Sequence, residues 1–269
     1  MSEWAVRTGI LVGNEGLARL RRSHVLIAGA GGVGGSCIEA IGRAGVGTIS
    51  IIDFDVVAES NCNRQVVALS STLGRPKVEV MAERLRDINP EVRVRLIQER
   101  ISSKEAACLI PEGIDVVLDC IDAMASKVGL MLAAQQRGCF VVSSMGAGAR
   151  MNPAWVKVAD LFETRGCPMA TAMRKLARRA GVQPGVRAVF SDEPPLPHLE
   201  RDYVPGAGPQ KTVNGTISYM PGLFGFYVAA EGIRHLLGDV IPAEGDRGRT
   251  LGDTLALPPR KKRRAALAR

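Results

Sequence analysis

Short apolar runs alternate along this chain with stretches in which apolar residues recur every three or four positions. The first run, His24–Ala28 (HVLIA), leads into a glycine-rich turn and then a helical pattern over residues 34–44. Residues 48–53 (TISIID) make a second strand pattern, and Lys77–Ile88 (KVEVMAERLRDI) carries helical spacing. Further strands are predicted over residues 92–97, 114–120 and 140–143, with a helix near 126–137. Regular alternation of strands and helices predicts an α/β fold with a doubly wound, mostly parallel, Rossmann-like sheet. Its core would be built from Val, Ile, Leu and Ala, since aromatics are only 4% of the chain, and this suits a buried parallel sheet.

After Ala149 the rhythm breaks. Residues 155–158 and 188–191 read as strands, Pro168–Ala180 as a basic helix and residues 221–237 as an apolar helix. Between them, residues 192–215 concentrate prolines and glycines without periodicity, as a functional lid or a disordered stretch does. The expected organisation is one domain over residues 1–239, with a C-terminal extension of strands and helices (151–239) as its substrate-facing part. Residues 240–269 follow as a tail.

Charge and cysteine content narrow the picture. The net charge is +8, but the last ten residues hold Arg260, Lys261, Lys262, Arg263, Arg264 and Arg269 and no acid; eight less six leaves +2 for the body. The tail reads as a solvated, disordered end, with electrostatic binding of nucleic acid as the competing reading. Six cysteines are scattered with no C-x-x-C pair, so neither a zinc clip nor a redox motif is expected. The N-terminal residues lack an apolar signal core, and the most apolar stretch, residues 25–42, is rich in glycine and contains Glu39. We therefore expect a protein without a membrane span, with reduced thiols, in the cytoplasm.

The first helix opens on Gly29-Ala30-Gly31-Gly32-Val33-Gly34, a G-x-G-x-x-G turn between a strand and a helix. Glycines let backbone approach a phosphate, and the helix N-terminus offers free N–H groups and a positive dipole end. Asp53 follows Gly29 by 24 residues and stands where a carboxylate can accept ribose hydroxyls. So far an ordinary nicotinamide enzyme fits equally well. Past the second strand, however, come Asp55, Asn61, Arg64 and Lys77, and two cations converging on the same turn suit a triphosphate that loses pyrophosphate. Asp122, in the sequence LDCID after the fourth strand, faces the same crevice and is placed to hold Mg²⁺ against phosphates. Taken singly, Arg64 fits a loop ion pair and Lys77 a solvated lysine as well as these roles.

This set resembles the adenylating superfamily of ThiF, MoeB and the ubiquitin-activating enzymes, over about Arg7 to Gly148. The matching motifs are R-T-x-x-L-x-G, G-x-G-G-V-G, D-F-D, N-x-N-R-Q, G-x-x-K and D-C-I-D. The resemblance implies ATP with Mg²⁺ as cofactors, Asp53 on the ribose, and Asn61, Arg64 and Lys77 on the phosphates. It further implies Asp122 serving metal and attacking carboxylate, and Arg7 reaching the ATP of the partner in a homodimer. In the second half, Val158-Ala159-Asp160-Leu161, Cys167-Pro168-Met169, Val189-Phe190-Ser191-Asp192-Glu193-Pro194 and Pro221-Gly222-Leu223-Phe224-Gly225 resemble the tRNA threonylcarbamoyladenosine dehydratase branch. That branch implies adenylation of the threonyl carboxylate of a modified adenosine in tRNA, followed by cyclising dehydration. Its partners would be the anticodon-stem region of tRNA and a sulfur-transfer or redox protein. Arg174, Lys175, Arg178 and Arg179 on the basic helix are candidates for the RNA phosphates, and a solvated face is the other reading.

Departures from the branch are Cys167, where Asp is usual, and the lack of a cysteine near Asn214, so no thiol step is expected. A tethered nucleophile needs no covalent enzyme intermediate, and none of His24, His198 or His235 is assigned a catalytic role. Competing readings are a zinc-free activator that adenylates the C-terminus of a ubiquitin-like sulfur carrier, a nucleotide-binding regulatory module without turnover, and an NAD(P)-dependent oxidoreductase.

Overall fold

The computed structural model describes residues 3–197 and 215–240. In chain order the elements are α1 (Val6–Arg22), β1 (His24–Ala28), α2 (Gly32–Ala44), β2 (Thr48–Ile52), α3 (Lys77–Ile88), β3 (Arg93–Ile97) and α4 (Ala106–Leu109). There follow β4 (Val116–Asp119), α5 (Met124–Gln136), β5 (Phe140–Ser144), β6 (Val156–Asp160), α6 (Pro168–Ala180), β7 (Arg187–Ser191) and α7 (Tyr219–Leu237). Seven strands form one sheet in the order β3-β2-β1-β4-β5-β7-β6, parallel except for β6, which runs antiparallel to β7.

Every residue of β1, β2 and β4 is buried, because helices cover both faces of the sheet. Alternate residues feed two cores. Val25 and Ile27 of β1 pack with Leu17, Leu20, Ile38, Met81, Phe224 and Val228 on one face. Leu26 and Ala28 pack with Leu130, Met131, Ala134, Met173 and Ala177 on the other. The edge strand β3, with Arg93 and Arg95 exposed, closes one side of the sheet with charge.

The expected strands and helices stand where the pattern puts them, within a residue or two at their ends. Two helices were not predicted. In α1 the backbone breaks at Gly13 (φ 68°, ψ 178°), so its apolar spacing is split into two short pieces. The four-residue α4 is too short to leave a period. The antiparallel sense of β6 was also not predicted. The tail, and most of the proline- and glycine-rich stretch, lie outside the described residues.

Strand order reverses between β1 and β4: β1 continues to β2 and β3 on one side, while β4 and β5 lie on the other. Loops leaving the carboxyl ends of β1 and β4 therefore part and leave a crevice. A close backbone contact shapes its floor. A Cβ on Gly34, in the first turn of α2, would lie 1.7 Å from the carbonyl oxygen of Gly29, and Gly29 itself has φ +93°. Gly31, by contrast, has φ −77°, and a Cβ there would meet nothing closer than 3.8 Å. Gly34→Ala should thus destabilise the fold by more than about 3 kcal/mol, the upper end for ordinary overpacking, whereas Gly31→Ala should cost under about 1 kcal/mol. Denaturant unfolding of the two variants checks this order; equal stabilities would contradict it.

Candidate active site

The crevice at the switch point has a volume of about 640 Å³. Gly29, Gly31 and Gly32 line one wall, Asp53, Phe54 and Asp55 a second, and Cys120, Ile121 and Asp122 a third. Arg64, from the segment after β2, and Lys77, at the start of α3, reach it, and residues 144–148, from the end of β5 onward, close the far side. Residues from four strand ends thus meet around the N-terminus of α2, whose first turn points unsatisfied N–H groups into the space.

Both oxygens of Asp53 hold backbone. Oδ2 accepts from the N–H of Ala30 at 2.6 Å, and Oδ1 accepts from the N–H of Asp55 at 2.8 Å. The carboxylate therefore fixes the glycine turn and its own loop together, and each oxygen keeps lone pairs for a hydroxyl donor from a ligand. Lys77 begins α3 and is buried, with Nζ 2.9 Å from Asp55 Oδ2. Asp55 aims this ammonium at the crevice floor. Arg64 is held from below, its Nη1 donating to Ser60 O at 2.9 Å and to Asn63 Oδ1 at 2.7 Å. Gln65 lies beside it, and its Oε1 is buried without a hydrogen-bond partner among the described residues, an acceptor open to a donor from a ligand.

On the opposite wall Asp122 is exposed and makes no hydrogen bond or ion pair among the described residues. Its position comes from its neighbours. Beneath it Lys127 and Asp119, both 0% exposed, form an ion pair at 2.9 Å. Lys127 Nζ also donates to Ile121 O at 3.0 Å, Asp119 Oδ1 accepts from Ile121 N at 3.3 Å, and Ser143 Oγ donates to Asp119 Oδ2 at 2.7 Å. Ser126 Oγ donates to Ile101 O at 2.6 Å and so joins this wall to the loop after β3. In that loop the guanidinium of Arg100 lies 4.2 Å over the ring of Phe54, at the crevice lip.

Of the residues singled out in the sequence, Gly29, Gly31, Gly32, Asp53, Asp55, Arg64, Lys77 and Asp122 are brought together here. Gly34 is not a lining residue; it is the contact that lets α2 close on β1. Asn61 is buried outside the lining, and its Oδ1 accepts from the N–H of Ala58, holding the short turn that presents Arg64. Arg7 is exposed on α1 and does not line the crevice of its own chain. Gln65, Phe54, Arg100 and Lys127 enter the picture only with the structure. Gln65 and Phe54 lie inside quoted motifs and so had a signal. Nothing in a single sequence marks Lys127 as buried.

Cys167 is 1% exposed and caps α6, its Sγ accepting from the N–H of Ala170 at 3.5 Å. On α6 the guanidinium of Arg174 is spent on Thr164 O and Oγ1, and Arg178 stands over Phe162, while Lys175 and Arg179 are exposed. His24 is bonded to Ser50 Oγ and His235 stacks on Phe140, both outside the crevice. Burial holds both imidazoles below the usual histidine range, so at neutral pH they are uncharged structural groups. His198 lies outside the described residues.

Comparison with known proteins agrees with this geometry. The chain is 38% identical over 190 residues to the tRNA threonylcarbamoyladenosine dehydratase of Bacillus subtilis, covering 71% of this chain and 75% of that one. It is 33% identical over 242 residues to the enzyme of the same name from Haemophilus influenzae, covering 85% and 91%. The crystal structure of the Escherichia coli tRNA N6-threonylcarbamoyladenosine dehydratase in complex with ATP superposes with a TM-score of 0.78 at 30% identity, over 88% of this chain and 96% of that one. The model of the ThiF family matches residues 7–252, and the chain belongs to that family.

Proposed function

We propose that this protein is an ATP-dependent tRNA threonylcarbamoyladenosine dehydratase. The observation that carries this reading is the convergence of a glycine turn, the Asp53 carboxylate, two held cations and the exposed carboxylate of Asp122 in one crevice, in a chain whose relatives bear that name. ATP would lie with its ribose on Asp53, its phosphates over the first turn of α2, and its leaving pyrophosphate against Arg64 and Lys77. A threonyl carboxylate oxygen of the modified adenosine attacks the α-phosphorus, and the bond to the bridging oxygen breaks with release of pyrophosphate. The carbamoyl group then attacks the carbonyl carbon of the acyl adenylate, AMP departs as the acyl C–O bond breaks, and the carbamoyl proton is released to solvent. One water has been lost from the nucleoside, and its elements are accounted for in converting ATP to AMP and pyrophosphate. Lys77 and Arg64 stabilise charge that grows on the leaving group, the kind of preorganised electrostatics that dominates such transfers.

Mg²⁺ fits the residues present. The lining holds Asp53, Asp55, Glu99 and Asp122 against Arg64, Lys77 and Arg100, so a triphosphate would enter a space with no excess of cations. Among the described residues no cluster of three metal-ligating side chains is found. Mg²⁺ requires none, since it draws most of its ligands from phosphates and water and one or two carboxylates suffice. Asp122, free of protein partners among the described residues, would hold it, and the ion would neutralise phosphate charge.

We further propose a homodimer in which Arg7 enters the partner's site. Beside Arg7 on α1, Ile10 and Leu11 are 64% and 80% exposed, an apolar surface that a second copy would cover. The exposed cations Lys175 and Arg179 of α6, whose first turn places Met169 in the crevice lining, suit the phosphates of the anticodon stem.

The function is tested by supplying ATP with tRNA carrying threonylcarbamoyladenosine, with a ubiquitin-like carrier protein, or with neither. Pyrophosphate release and loss of one water from the nucleoside should occur with the tRNA alone; release with the carrier protein alone would overturn the reading. Lys77→Ala should lower turnover roughly 10²–10³-fold, the scale for losing one transition-state charge partner. Arg7→Ala and Asp122→Ala dimers should each be nearly inactive, and free exchange between them should restore roughly a quarter of wild-type activity, because about half the dimers are mixed and each rebuilds one site. Activity that stays at the mutant floor after verified exchange would place Arg7 outside the shared site.

A further inference from the structure

Lys127 and Asp119 are both wholly excluded from solvent. A buried ion pair is a poor device for stability alone, because apolar residues of similar volume pack as well or better. Here the charges hold backbone. Lys127 Nζ takes the carbonyl of Ile121 and Asp119 Oδ1 takes its N–H, so both polar groups of the residue before Asp122 are captured. The carbonyl of the residue after it, Ala123, accepts the backbone N–H of Lys127 at 3.0 Å as α5 begins. Ser143 on β5 fixes Asp119 from the other side, and the N–H of Cys120 is held by Ala28 O at 2.8 Å. Asp122 thus sits on a peptide clamped before and after, while its own carboxylate has no protein partner among the described residues. A free carboxylate on a mobile loop would lose most of its value to a reaction that needs near-attack geometry.

We infer that Lys127 is a positioning residue for the adenylation step: with Asp119 its side chain locks the two peptide units that lead into Asp122 and so fixes where that carboxylate stands. This rests on the adenylation reading given above. A merely structural lysine would be replaceable, once its charge partner is also neutralised, without loss of turnover per folded molecule.

The test is Lys127→Met combined with Asp119→Asn, which removes both charges and leaves no lone buried ion, studied as the full-length protein where circular dichroism verifies folding. The expected result is a fall of about 10–100-fold in kcat for tRNA-dependent pyrophosphate release with ATP affinity changed less than about threefold, the mark of a lost transition-state contribution. Deuterium uptake should quicken at residues 120–123 and stay unchanged in β1 and β2. Adding Asp122→Ala should then bring activity to the level of Asp122→Ala alone and no lower, since a residue that acts only through that carboxylate costs nothing once the carboxylate is gone. Wild-type kcat in the charge-free variant, or losses that multiply with Asp122→Ala, would overturn the inference. Should that variant not fold, Lys127→Gln combined with Asp119→Asn, which also leaves no lone buried charge and keeps both side chains polar, is read by the same criteria. Asp122→Ala alone separates the two ideas. If it is inactive while the Lys127 variants turn over normally, only the positioning role falls; if it is as active as wild type, the reading of the site falls and takes the positioning role with it.

Discussion

The carbonyl of Gly29 and the backbone of Gly34 lie so close that no side chain fits between them, and much of the site depends on that contact. It lets the first turn of α2 pack directly on the end of β1, which brings unsatisfied N–H groups to the mouth of the crevice. It also sets the height of the glycine turn relative to Asp53, whose carboxylate takes the N–H of Ala30. A larger residue at Gly34 would lift the helix and dissolve both arrangements at once. The neighbouring strands β2 and β4 hold this turn from either side, so the contact is enforced by a sheet whose central strands are entirely buried.

Around that fixed turn the site divides its charges between held and free. Asp53, Asp55 and Lys77 are tied to backbone or to each other, and Arg64 is braced by Ser60 and Asn63. Asp122 is exposed in the lining, carried on a peptide braced by groups with no solvent access. A preorganised site spends its reorganisation in folding rather than at the moment of reaction, and this division is how such a site is built from ordinary side chains.

Much of this could be read from the sequence, and the limits have physical causes. Strands β1, β2 and β4 announce themselves because full burial on both faces demands continuous apolar runs. The glycine turn and Asp53 were legible because a strand, a tight turn and a helix packed this closely constrain residue type and spacing together, and the structure brings both to the crevice. Lys77 was found but its burial was not, since partnership with Asp55 depends on how α3 docks. Asn61 was expected at the phosphates, and the structure places its Oδ1 on the N–H of Ala58; a polar side chain's target is set by three-dimensional neighbours that spacing does not report. Lys127 is the clearest case. In a helical pattern a lysine normally marks the solvent side, and only the fold shows that this one points inward to a buried aspartate. Helix α1 escaped because the break at Gly13 interrupts the period on which detection relies.

The central claim is that a crevice of dinucleotide-binding geometry has been turned to a triphosphate by Arg64 and Lys77. Calorimetric titration of the purified full-length protein with ATP and Mg²⁺, and separately with NAD, tests it most directly. The account predicts saturable binding of ATP with one site per chain, lost or much weakened in Arg64→Ala, and no comparable heat from NAD. NAD binding tighter than ATP, unaffected by Arg64→Ala, would contradict it.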